Sequence, residues 1–202
     1  MEFGEVLCGQ HEPYRNIYFP FSGSLSLEIN IDDHPPLQMG MIGNEGMLGV
    51  NLVLGFNITQ LRCVVLAPGS ALCMTALQFR RELRDSRYLH RIINRYLHVL
   101  MAQLTQTAAC THFHKVEARL ARWLLMAHDR AHIDNYYFTH QTLANILGVR
   151  RSAITIAAGE LQQLGCIKYV RGNIKILNRA ELEAVSCDCY SALVEHYTQL
   201  FI

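Results

Sequence analysis

The stretch from Tyr137 to Ile176, YFTHQTLANILGVRRSAITIAAGELQQLGCIKYVRGNIKI, constrains the fold more than any other part of this 202-residue chain. Thr139 can cap a helix, because its side-chain oxygen can accept an orphan backbone N–H, and Leu143, Ile146 and Leu147 then share one apolar face. Gly148 ends that helix and permits a sharp change of direction, since only glycine enters the left-handed region without a Cβ penalty. A second helix is predicted from about Arg150 to Gln163, with Ile154, Ala157, Ala158, Leu161 and Leu164 as its buried stripe. Ile167 to Val170 and Asn173 to Ile176 alternate in polarity around Arg171-Gly172-Asn173, which predicts a hairpin.

Helix, tight turn, helix and hairpin in this order describe a winged helix-turn-helix, a motif whose second helix lies in the major groove of duplex DNA. Arg150, Arg151, Ser152 and Thr155 stand near the start of that helix on its polar side, where an arginine fork can take guanine O6 and N7 together. From Thr139 to Arg179 six cations (Arg150, Arg151, Lys168, Arg171, Lys175, Arg179) face one acid, Glu160, giving 6 − 1 = +5, whereas the whole chain carries +1. Basicity is therefore concentrated where phosphate attraction would need it. Thr139, His140, Lys168, Arg171, Asn173 and Lys175 are the candidate phosphate contacts, which position the protein without specifying sequence. The same hairpin would also serve as a two-stranded cover for a small core, and the sequence leaves both readings open.

The remaining chain bounds the possibilities. Half of the residues are hydrophobic, which excludes disorder, and no run approaches the ~18 apolar residues of a membrane span. MEFGEVLCGQ lacks the apolar centre of a signal peptide, so a cytoplasmic protein with no membrane partner is expected. Seven scattered cysteines (Cys8, Cys63, Cys73, Cys110, Cys166, Cys187, Cys189) fit reduced thiols better than a disulfide framework.

Residues 1 to about 80 read as short strands, such as Asn16 to Phe19, Ser24 to Ile29 and Leu61 to Leu66, broken by Pro20, Gly23, Asp32-Asp33, Pro35-Pro36 and Pro68-Gly69. That spacing predicts a sandwich or jelly roll able to enclose an effector. Helical spacing begins near Phe79, and nothing interrupts a helix from Tyr88 to about Cys110. Its two stripes need two burial partners, the roll and the same helix of a second subunit, with Ile93, Tyr96, Leu97, Leu100 and Leu104 as the dimer seam. A single broad face packed within one subunit is the alternative. A further helix over His114 to Arg130 turns Val116, Leu120, Trp123, Leu124 and Ala127 inward, with Trp123 as core; Ala131 to Tyr136 reads as a polar connector, and Asn178 caps a helix towards Ser186.

In this order the elements resemble the cyclic-AMP receptor and fumarate-nitrate reductase regulator (Crp/Fnr) family of bacterial transcription factors, most specifically from Val116 to Ile176 and including KVEARLARWLLMAHDR at Lys115 to Arg130. The resemblance implies an α+β chain: a cyclic-nucleotide-binding-like β-roll over residues 1–86, a dimerisation helix over 87–112 and a winged helix-turn-helix over 113–202. It further implies a homodimer reading a partly palindromic operator, with RNA polymerase as a further contact and an unknown small-molecule effector or none. The family's leading helix and strand are expected to be absent or reduced before Gly4-Glu5-Val6-Leu7.

Gly43, Glu45 and Gly46 resemble half of the family's nucleotide cassette and, with Arg62, form the candidate effector pocket. Thr59-Gln60 stands where the phosphate-neutralising Arg pair belongs, and Arg62 would need a register shift to point inward. A buried phosphate without a cation is costly, so no response to cyclic AMP is expected. Cys8 stands alone near the N-terminus, which argues against the family's four-cysteine cluster; Cys187 and Cys189 form the one close pair, whose spacing of two would allow metal chelation or redox activity but which is read as ordinary thiols at a helix end. The histidines, including His112 and His114, are read as surface or core residues, so neither a cofactor nor a metal is expected. Arg151-Ser152 followed by Ile156 replaces the Arg-Glu and later Arg of the cyclic-AMP receptor, so the operator should differ from that receptor's. A redox or small-molecule sensing module with degenerate DNA binding is the alternative function. An enzyme is not expected, since residues 1 to 80 carry only His11 and His34 and no clustered ligand set.

Overall fold

Short alternating runs and frequent turns make the N-terminal half of the chain a roll of two antiparallel sheets. The structure, a computed structural model, describes residues 1–200. Its first six strands are β1 (Val6–Cys8), β2 (Asn16–Pro20), β3 (Ser24–Ile29), β4 (Leu37–Ile42), β5 (Arg62–Ala67) and β6 (Ala71–Thr75). One sheet has the order β1-β5-β3-β4 and the other pairs β2 with β6. In the larger sheet Leu25 lies opposite both Ile42 and Val65, and these side chains meet Ile17, Met47, Cys63 and Phe79 in the roll's core. Ser24 to Leu27 are buried on both faces of β3, because the outer face is also covered. There Gln38 donates to Ser26 Oγ and accepts from the Trp123 indole N–H.

Thr75 and Gln78 form a reciprocal capping box at the start of α1 (Ala76–Asp85), and Ser86 caps α2 (Arg87–Phe113). Three residues of the seam expected to meet a second subunit are covered within their own chain, while Leu97 and Leu104 stay half-buried. Ile93, Tyr96 and Leu100 are buried in the core of their own roll, and Leu97 packs partly against it. The roll takes this stripe, and α2 lies along β4, which is a sheet edge. Gln103, 0 % exposed, completes that cover: its carbonyl accepts the Met41 N–H at 2.7 Å and its amide donates to the Met41 carbonyl at 3.1 Å. The outward face of α2 carries Arg91, Asn94, His98, Met101 and Thr105, with Met101 59 % exposed.

The C-terminal half comprises α3 (Val116–Ala131), β7 (Asn135–Tyr137), α4 (His140–Leu147), α5 (Arg151–Gln163), β8 (Ile167–Val170), β9 (Asn173–Ile176), α6 (Arg179–Val185) and α7 (Cys189–Leu200). Part of the expected polar connector is the strand β7. It adds to the hairpin in the order β7-β9-β8, with Tyr136 buried opposite Ile174. Three residues are too few to show alternation in a sequence. Trp123 lies in the core with Leu124, Phe138, Leu143, Ile154 and Leu161, as expected.

The two halves are held together by buried polar contacts. Arg130 on α3, 4 % exposed, donates through Nε to Glu45 of the roll at 2.8 Å and through Nη2 to the Tyr197 hydroxyl of α7 at 2.9 Å. That hydroxyl also accepts from Gln103 at 2.9 Å, so roll, long helix and C-terminal helix share one network. No described helix is long and apolar enough to cross a membrane.

Candidate nucleic-acid interface

The helix-turn-helix is built from local signals. Thr139 Oγ1 accepts the Thr142 N–H at 3.1 Å, so α4 begins where its cap places it. Gly148 ends α4 at φ 63° and ψ 43°, a left-handed conformation that favours glycine; a Cβ there would lie 2.8 Å from the flexible tip of Leu37 of the roll. Arg150 precedes α5 in extended conformation with no side-chain cap, and the first turn of α5 holds no acid. Its orphan N–H groups and positive dipole end therefore face outward unneutralised, an arrangement that attracts phosphate. Ile154, Ala157, Ala158 and Leu161 are buried as predicted, and the two alanines let α5 approach α3 closely. Leu164 is a correction: it caps the helix and is 49 % exposed.

Arg150, Arg151, Ser152, Thr155 and Ile156 are all exposed, so the structure brings the expected base-reading residues onto one open surface. Thr155 is held in place: its hydroxyl donates to the Arg151 carbonyl at 3.2 Å and meets His140 Nδ1 at 3.0 Å. His140 is not the free phosphate contact expected of it. Its ring stacks on Tyr169 with centroids 4.5 Å apart, and Nε2 is buried without a partner among the described residues. Burial, and secondarily the nearby Arg151, push its pKa down, so it stays neutral and spaces α4 from the wing. Tyr169 completes the joint, donating from its hydroxyl to the Phe138 carbonyl at 2.8 Å and from its N–H to Gln162 at 2.8 Å.

On the wing, Lys168 lies directly opposite Lys175 and both are exposed. Like charges at such a pair are unfavourable, which makes sense of the wing as a surface for an anion. Arg171 stands at the tip with φ 49°, and Asn173 is exposed opposite Tyr137. Arg179, counted in the local charge, belongs elsewhere: it contacts Asp129 at 2.7 Å and Glu183 at 2.8 Å. Arg150, Arg151, Lys168, Arg171 and Lys175 enter no ion pair among the described residues. A groove beside the start of α5 is shared with the β3–β4 hairpin, where Ile31, His34 and Pro35 face Arg150, Ser152 and Ile156.

The candidate effector pocket does not assemble. Glu45 is committed to Arg130, and Arg62 pairs with Glu28 across the neighbouring strand at 3.3 Å. At Gly46 an added Cβ would fall among the atoms of the Tyr96 ring, so this half of the cassette is packed against α2. Register, not composition, separates these residues: Arg62 sits opposite Glu28 and away from the Gly43–Gly46 turn.

One constellation forms only in the fold. Cys110 and His114, four apart at the end of α2, meet Cys187 and Cys189 of the α6–α7 link. The helical spacing of Cys110 and His114 is visible in the sequence, but the nearer of its partners, Cys187, lies 77 residues away from Cys110. Hydrogen bonding from Cys187 favours a thiolate at Cys110, holding its pKa well below the ordinary thiol range.

Residues 118–185 match the family model of the Crp-like helix-turn-helix domain. The C-terminal half therefore carries a Crp-like helix-turn-helix domain. Among solved structures of similar fold, FixK2 from Bradyrhizobium japonicum aligns with TM-score 0.76 at 14 % identity, over 92 % of this chain and 94 % of that one. A CRP-family transcriptional regulator from Thermus thermophilus, TTHB099, gives TM-score 0.73 at 16 % identity, over 92 % and 95 %. A Crp/Fnr-family regulator from Eubacterium rectale gives 0.69 at 20 % identity, over 92 % and 87 %. A search of curated protein sequences gives no match. The Crp/Fnr fold thus extends over both halves, while the sequence match is confined to the DNA-binding domain.

Proposed function

We propose that this protein is a transcription regulator of the Crp/Fnr type, a cytoplasmic homodimer that binds DNA sequence-specifically by inserting the start of α5 into the major groove. One observation carries the reading: Arg150 and Arg151 at an uncapped, acid-free helix N-terminus and Lys168, Arg171 and Lys175 on the wing are all exposed and enter no ion pair among the described residues. Arg151, Ser152 and Thr155 read bases, with Arg150 beside them at the groove shared with the roll. Thr139, Lys168, Arg171, Asn173 and Lys175 contact phosphate. The dimer forms through the outward face of α2, around His98, Met101 and Thr105, since Ile93, Tyr96 and Leu100 are already covered. The protein does not respond to cyclic AMP, because Glu45 and Arg62 are each engaged elsewhere.

Selection of bound duplexes from a random pool, with light scattering of the protein alone, tests this. A partly palindromic consensus with half-sites about one helical turn apart, bound by a dimer, is expected. No enrichment at low salt would overturn the reading and leave a sensing module with degenerate DNA binding.

A further inference from the structure

The four side chains at the α2 terminus and the α6–α7 link form a set that DNA binding does not use. Cys110 Sγ lies 3.5 Å from Cys187 Sγ, and Cys189 Sγ lies 3.3 Å from His114 Nδ1. All four ligand atoms fall within 4.8 Å of one another, and the three cysteines are buried. A tetrahedral zinc ion with Zn–S of about 2.3 Å and Zn–N of about 2.0 Å separates neighbouring ligand atoms by roughly 3.3–3.8 Å. The set is therefore already gathered to the size of a single-ion site. A cluster of several irons would spread its cysteine sulfurs over different metal atoms and need them further apart.

The surroundings fit as well. His114 presents Nδ1 to the sulfurs, while its Nε2 faces Asp188 Oδ1 at 3.4 Å, the carboxylate–histidine arrangement that orients a metal-binding imidazole. Three thiolates and a divalent ion leave one net negative charge. Arg119 and Arg122, both buried, line the same cavity as Cys110, and Arg122 Nε has no hydrogen-bond partner among the described residues. Their guanidinium groups are placed to offset that charge.

We propose that Cys110, His114, Cys187 and Cys189 bind one Zn²⁺ per chain in a closed tetrahedral site that fastens the end of the long helix to the C-terminal tail. On binding, the cysteine thiols lose their protons to solvent and four metal–ligand bonds form without any change of oxidation state. Closed Cys₃His sites of this kind are structural, so the ion stabilises the junction of the two halves. The site does not depend on the DNA-binding reading.

The test uses full-length protein, reduced and stripped with a chelator, and titrated with Co²⁺ as a spectroscopic probe. One equivalent per chain should give the intense visible absorption of tetrahedral Co²⁺ together with thiolate charge-transfer bands. Zn²⁺ should bleach both stoichiometrically, and adding Zn²⁺ to the stripped protein should release protons. Cys187→Ser and, independently, the less buried His114→Ala should abolish or alter the tetrahedral spectrum while circular dichroism stays native. Cys73→Ser, at an exposed cysteine outside the set, should leave it unchanged, and Asp188→Asn should weaken binding about 10-fold. Absence of thiolate charge transfer in the reduced wild-type protein, retention of the full signal in both ligand variants, or iron and sulfide in the purified protein would overturn the proposal. So would a Cys110–Cys187 disulfide as the sole chemistry of these thiols.

Discussion

The two polar regions that the sequence marks out, the start of α5 and the turn around Glu45, have opposite fates. At α5 the arginines stay exposed and enter no ion pair among the described residues; at the turn, Glu45 is drawn onto Arg130, and Arg62 onto Glu28. An exposed charge without a partner costs the fold little and remains available to an anion, whereas a buried one must be matched within the molecule. The difference separates a surface kept for a partner from one used to join two domains.

The largest effect should come from breaking the buried side of this comparison. Glu45→Ala leaves Arg130 buried without its counter-charge and should cost about 3–5 kcal/mol in chemical denaturation. A loss no larger than that of a surface substitution would mean that the pair is hydrated. On the exposed side, Arg151→Ala should leave stability nearly unchanged and lower discrimination at one base pair by about 1–3 kcal/mol, measured by binding to single-base operator variants. Lys175→Ala should weaken binding to all sequences alike and reduce the salt slope by about 0.9 per half-site. It should also relieve the cross-strand repulsion from Lys168 and stabilise the wing by a few tenths of a kcal/mol, so binding and stability should move in opposite directions. The smallest effect concerns pH. Because burial depresses the His140 pKa in the folded state, the unfolded chain takes up a proton first as pH falls below about 6.5; stability present above that value is then lost towards acid. His140→Phe should remove this component from a denaturation series between pH 7 and pH 5.

The legibility of the fold follows the distance over which each signal acts. Thr139, Gly148 and the alternation around Arg171 act on their immediate neighbours, so α4, α5 and the wing could be read with ends within a residue or two. The long helix was equally legible, but not the direction of its stripes. Ile93, Tyr96 and Leu100 look as suited to a second subunit as to a roll, and only the position of the β4 edge decides between them. Helix α7 was missed because its purpose lies outside itself: Leu193 and Tyr197 complete surfaces presented by α2 and α3.

The sequence by itself determined the winged helix-turn-helix, the concentration of charge on it and the order of β-roll, long helix and reading head, since caps, turns and periodicity are properties of neighbouring residues. Tertiary structure alone decided that Glu45 would serve Arg130, that Gln103 would hold a strand edge, and that Cys110, His114, Cys187 and Cys189 would meet. Those outcomes depend on long-range register and on which buried charge or sulfur finds a partner, and spacing along the chain carries no record of either.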